Sequence, residues 1–99
     1  MKSKFDANSL FWDTNSFDAN LMYVRIHQKY FNDLLLSRGY VTIFEVFSNL
    51  GLKLDLDKLE DKDVKRIWWR YPDNEFIDFG INPIKEENVI LLDFNINID

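Results

Sequence analysis

Apolar residues recur at helical intervals between residues 18 and 50 and then at a period of two from residue 64 onward. A chain that changes period once in this way is confined to helices packed against an antiparallel sheet. Between Asp18 and Arg38 there is no Gly or Pro, and Leu21, Val24, Phe31, Leu34 and Leu35 share one face, which predicts a helix over 18–38 ended by Gly39. Thr42 and Glu45 have the spacing of a capping box, in which each side chain satisfies an orphan backbone N–H at a helix start. Val41 and Val46 have the spacing of a hydrophobic staple, and Gly51 followed by Leu52 can close the last turn against Phe47. The second helix is therefore expected over 42–50, its cap included.

The later half reads as strands. Val64 to Tyr71 is rich in β-branched and aromatic residues, Pro72-Asp73-Asn74-Glu75 supplies turn residues, and Phe76 to Ile81 resumes the alternation, so a β-hairpin is expected over 64–81. A third strand is expected over 89–98, with Ile90, Leu92, Phe94, Ile96 and Ile98 facing inward. The same parity puts Ile67, Trp69 and Tyr71 inside with Ile77, Phe79 and Ile81, and leaves Arg66, Trp68, Arg70, Asp78 and Asp93 outside. The fold class is α+β: two helices on one face of a three-stranded antiparallel meander. Residues 1–17 are poorly specified, although Leu10-Phe11-Trp12 before the turn formers Asp13 to Ser16 suits an extra short N-terminal strand. Phe5-Asp6-Ala7-Asn8 returns as Phe17-Asp18-Ala19-Asn20, an echo too short for a structural repeat.

Ninety-nine residues, 46% of them hydrophobic and 16% aromatic, suffice for one core and leave no room for a second, so residues 1–99 are read as a single domain. The absence of cysteine removes disulfides, thiolate chemistry and Cys-type zinc sites. No stretch has the apolar length of a signal peptide core or a membrane span, which points to the cytoplasm. A net charge of −5 disfavours direct binding to a phosphate backbone.

The chemistry-bearing residues are few. His27 is the only histidine and has no Cys or second His to complete a metal site or triad, so a structural place at the helix–sheet seam is expected. Asp55, Asp57, Glu60, Asp61 and Asp63 crowd the segment 54–63. An EF-hand reading fails because Glu60 stands where the sharp turn needs Gly, counting from Asp55. This acidic patch fits a solvated loop or, more sharply, a mimic of nucleic-acid charge, which Lys58 and Lys62 dilute. Asp78 and Asp93 could be neighbours on the outer sheet face, where ion pairs with Arg66 and Arg70 explain them better than a glycosidase-like carboxylate pair. No catalytic residue, cofactor or metal is assigned. The strongest candidate is Trp68 between Arg66 and Arg70, because Trp and Arg are enriched among interface hot spots. The alternative for Trp68 is a cover formed by residues 1–17, through Phe11 or Trp12.

From Arg38-Gly39-Tyr40-Val41-Thr42-Ile43-Phe44-Glu45 through Leu50-Gly51-Leu52, the chain resembles a loose family of small uncharacterised proteins of phages and mobile elements of Gram-positive bacteria. That family has a similar Gly-Tyr, Ser/Thr, Phe, Leu-Gly pattern after a long helix. Phe11-Trp12-Asp13 and Ile77-Asp78-Phe79 extend the likeness, while Ile67-Trp68-Trp69 replaces the family's usual Gly-Trp. The resemblance implies a phage or prophage origin and no particular activity. The expectation is a non-enzymatic protein-binding module of the bacterial host cytoplasm, able to inhibit a host defence or replication protein through Arg66, Trp68, Arg70, Asp78 and Asp93. The alternatives are a small virion or assembly subunit that forms homo-oligomers through the edge of its C-terminal strand, and an acidic nucleic-acid mimic.

Overall fold

The computed structural model describes residues 1–54 and 67–96. In chain order the elements are β1 (Lys2–Phe5), α1 (Phe17–Arg38), β2 (Tyr40–Thr42), α2 (Ile43–Leu50), β3 (Trp68–Arg70), β4 (Asn82–Ile84) and β5 (Val89–Asp93). The fold is mixed, with two helices and antiparallel sheets.

Both helices follow from their caps. Ser16 accepts from the Ala19 amide to start α1, and Gly39, left-handed at φ 90°, ends it by donating to the Leu35 carbonyl. The capping box at Thr42 and Glu45 is complete. Gly51 is left-handed, and the Leu52 amide reaches the Phe47 carbonyl at 2.8 Å, the closure expected after α2.

The strands pair otherwise than the sequence suggests. The three-stranded sheet has the order β1-β5-β4, so it is not a meander of the last three strands, and β5 lies in its centre rather than at an edge. The N-terminal strand is Lys2–Phe5 and not Leu10–Trp12, which lies in a turn region. β3 does not form a hairpin with residues 76–81. It pairs antiparallel with β2, with Val41 opposite Trp69, to make a separate two-stranded ribbon.

Residues 76–80 belong to no helix or strand, and their backbone groups are met largely by side-chain amides. Asn32 of α1 accepts from the Ile77 amide at 2.7 Å and donates to the Ile77 carbonyl at 2.8 Å, while Gln28 accepts from the Phe79 amide at 2.8 Å. From the other side Asn95 accepts from the Asp78 amide and the Trp69 indole and donates to the Phe76 carbonyl. The Asp93 and Asn95 amides donate to the Phe79 and Asp78 carbonyls at 2.8 and 3.0 Å, and together these bonds satisfy the segment without a strand partner at β3. Asn20 of α1, which is itself buried, brackets Asp13 in the same reciprocal way, at 2.8 Å in each direction.

Ile67, Trp69, Ile77, Phe79, Ile90, Leu92, Phe94 and Ile96 are buried as parity requires, with Ile81 partly buried. Ile98 lies outside the described residues. Tyr71 is exposed instead, because the chain leaves the ribbon there and enters the turn that Asn74 closes on Arg70. Phe94 is the hub of the core, with its ring against Phe47, Trp69 and Phe79 at centroid distances of 5.3, 6.4 and 5.1 Å. Val24, Phe31 and Leu35 of α1 and Ile43, Val46 and Leu50 of α2 complete it.

Candidate functional site

The outer face of the β2–β3 ribbon gathers aromatic and guanidinium groups. Trp68 retains 36% of its surface exposed while its neighbour Trp69 retains none, so strand parity sends one indole out and the other into the core. The Arg70 guanidinium lies over the Trp68 ring at 4.3 Å, and Trp68 meets Tyr40 edge-on at 6.4 Å. The Arg38 guanidinium in turn lies over Tyr40 at 4.2 Å. The result is a continuous ladder, Arg38–Tyr40–Trp68–Arg70, across the ribbon.

Its two cations are differently engaged. Arg38 donates to Glu45 at 2.7 Å and to the Tyr40 carbonyl at 3.0 Å, which fixes its plane over the ring. Glu45 also accepts from the Thr42 amide at 2.9 Å, so one carboxylate serves the helix cap and the ladder together. The hydrogen bond from Arg38 is the main reason that the Glu45 carboxyl is held below the ordinary carboxylate range. Arg70, by contrast, has no carboxylate within ion-pairing distance among the described residues.

The edges of the ribbon are capped at these positions, so the side-chain face is what it presents. On β2 the Tyr40 carbonyl is taken by Arg38 and the Thr42 amide by Glu45; on β3 both backbone groups of Arg70 are taken by Asn74, at 3.0 and 2.7 Å. The other sheet is blunted by Lys2 and Lys4 on β1 and by Pro83 on β4. Homo-oligomerisation through an exposed C-terminal strand edge is thus corrected for β5, since β1 and β4 flank it on both sides.

Of the residues expected at the site, the structure brings Trp68 and Arg70 together and adds Arg38 and Tyr40. Sequence reasoning missed these two because it paired β3 with residues 76–81. The available signal was Arg38-Gly39-Tyr40 itself, a cation and an aromatic on either side of a left-handed glycine. Asp78 and Asp93 do not join the ladder. Asp78 accepts from the Gly80 amide at 2.8 Å, closing a local turn, and Asp93 lies 3.5 Å from the Met1 amine. Neither pairs with Arg70, whose strand lies against β2. Arg66 and the acidic residues Asp55, Asp57, Glu60, Asp61 and Asp63 lie outside the described residues.

Trp68 is not covered by the N-terminal segment. Trp12 packs against Phe5 and Phe17, and Phe11 against Tyr23. His27 is partly buried, its Nδ1 2.8 Å from the Tyr23 carbonyl and its ring 4.2 Å from the Tyr23 ring. Burial raises the Tyr23 hydroxyl above its ordinary pKa, and that hydroxyl donates to the Asn49 carbonyl at 2.6 Å. Among the described residues no three His, Asp or Glu side chains gather to hold a metal ion, and no helix is long and apolar enough to cross a membrane.

Neither the curated proteins nor the solved structures contain a match to the chain. A family model does match it over residues 2–99, and the chain belongs to that family, DUF6353, described as a family of unknown function.

Proposed function

We propose that the protein is a non-enzymatic binding module that docks onto another protein through the Arg38–Tyr40–Trp68–Arg70 face. The observation that carries the reading is an exposed indole packed between an arginine and a tyrosine, on a ribbon where the Tyr40 carbonyl, the Thr42 amide and both Arg70 backbone groups are already bonded. Docking energy concentrates in such preorganised aromatic and arginine anchors, because little side-chain entropy remains to be lost on binding. The side-chain bonds at Tyr40, Thr42 and Arg70 disfavour strand addition there and favour face-on docking.

The resemblance at residues 38–52 extends the proposal to a phage- or prophage-encoded module that blocks a host defence or replication protein. The residues carrying that likeness are occupied with helix termination: Gly39 and Gly51 are left-handed caps, and Thr42 and Glu45 form the capping box. They support a shared fold, and the binding activity rests on the ladder alone.

The test is affinity capture from a Gram-positive host lysate, with and without an infecting phage, using the wild-type chain and Trp68→Ala in parallel. A stoichiometric protein captured by the wild type and lost with a folded Trp68→Ala supports the proposal. Equal capture by both would move the docking site elsewhere.

A further inference from the structure

Helix α1 is apolar on two faces. Val24, Phe31 and Leu35 enter the core, while Met22, Ile26 and Leu36 on the other side retain 62, 57 and 62% of their surface exposed. Three large apolar side chains on one solvent-facing strip are more than a core-covering helix needs. The strip has a definite period. Met22, Ile26, Lys29, Asp33 and Leu36 follow one another at steps of four, three, four and three, the spacing of a coiled-coil seam. Lys29 and Asp33, in its middle, lie 3.5 Å apart and are 82 and 68% exposed. That pair adds only a few tenths of a kcal/mol to the helix itself.

The geometry points to a second copy of this chain as the occupant of the seam, packed antiparallel, helix α1 against helix α1. The charges choose the direction. In a parallel pair Lys29 would face Lys29 and Asp33 would face Asp33, two like-charge layers in succession. In an antiparallel pair with its two-fold axis at the level of Phe31, Lys29 faces Asp33 of the other copy and Asp33 faces Lys29. The same axis sets Ile26 against Leu36 and Leu36 against Ile26, so four layers are complementary at once. In the heptad each of these contacts joins an a position to a d position, the layer type of antiparallel coiled coils. From Met22 to Leu36 the seam runs roughly 21 Å at about 1.5 Å per residue. So short a seam, with only three apolar residues from each copy, makes a weak dimer that depends on concentration. None of the five residues belongs to the Trp68 ladder, and the inference stands independently of the proposed partner.

The test is sedimentation equilibrium on the full chain over a wide concentration range, comparing the wild type, Lys29→Asp, Asp33→Lys and an equimolar mixture of the two variants. Far-UV circular dichroism checks that each keeps its helices. The wild type should dimerise, and each single variant should associate about tenfold more weakly, because two symmetry-related attractions become repulsions. The mixture should recover affinity to within about twofold, since position 29 of either variant then faces position 33 of the other with opposite charge. Net charge does not explain that pattern, because Lys29→Asp takes the chain from −5 to −7 and Asp33→Lys takes it from −5 to −3. A wild type that stays monomeric, single variants that dimerise as the wild type does, or a mixture that does not recover would each overturn the assignment.

Discussion

Asn32 is only half-buried on α1, yet it holds both backbone groups of Ile77, a residue 45 positions away in the chain and fully inside the core. A side-chain amide carries a donor and an acceptor in the same spacing as a peptide group, so it can complete an extended segment as a neighbouring strand would. Removing it leaves a buried N–H and C=O with no protein partner, and an unsatisfied buried group costs more than a hydrogen bond contributes. Asn32→Ala is therefore expected to destabilise the chain by about 2 kcal/mol, read from the midpoint of urea unfolding at unchanged slope. A loss below about 0.5 kcal/mol would mean that water takes over both bonds. The inward residues of this region, Ile77 and Phe79, are legible from alternation alone. What they pair with is not, because Gln28, Asn32 and Asn95 read as ordinary polar residues until the tertiary fold sets them beside the segment.

Among the elements, α2 is the most legible, since its start and stop are written in local chemistry: Thr42 and Glu45 at one end, Gly51 and Leu52 at the other. β3 is the least legible, because so short a strand carries no information about whether its partner is local or lies far back in the chain. The caps also make the elements respond differently to small changes. Gly39 sits at φ 90° with open space around a would-be Cβ, so Gly39→Ala should cost only the left-handed penalty, about 1 kcal/mol. Gly80, at φ 58°, would drive its Cβ into the Asp93 carbonyl oxygen, a backbone atom that moves only with β5. Gly80→Ala is expected to cost about 3 kcal/mol or more, and comparable losses for the two variants in chemical unfolding would contradict the close approach. Acid should loosen the start of α2. The folded Glu45 carboxyl is held below its unfolded value, first by Arg38 and then by Thr42, so its contribution is present above the ordinary glutamate pKa, about 4.3, and is lost as the pH falls through the lower folded value. Unfolding measured from about pH 6 down to about pH 3 should show this loss in the wild type and a flatter profile in Glu45→Gln. Superimposable profiles would remove Glu45 from the account.

At the scale of the whole molecule, a switch from helical to alternating period is enough to announce two helices and antiparallel pairing with three strands in one sheet, but of those strands only β5 is among the ones it predicts. The order of that sheet was hidden because its first strand, Lys2–Phe5, carries the lysines of an edge and reads as an unpatterned N-terminus. The candidate site was legible in half of its members. Trp68 and Arg70 follow from parity within one strand, whereas Arg38 and Tyr40 reach them only through the β2–β3 pairing. This pairing is what turns one exposed tryptophan into a continuous aromatic and guanidinium face for a partner. The most direct measurement is the affinity of the captured partner for the wild type, for Trp68→Ala, and for Phe76→Ala as a control at an exposed aromatic outside the ladder. The account predicts that Trp68→Ala keeps a native circular dichroism spectrum and weakens binding by roughly thirtyfold, about 2 kcal/mol, while Phe76→Ala binds as the wild type does. Undiminished binding by a folded Trp68→Ala would contradict it.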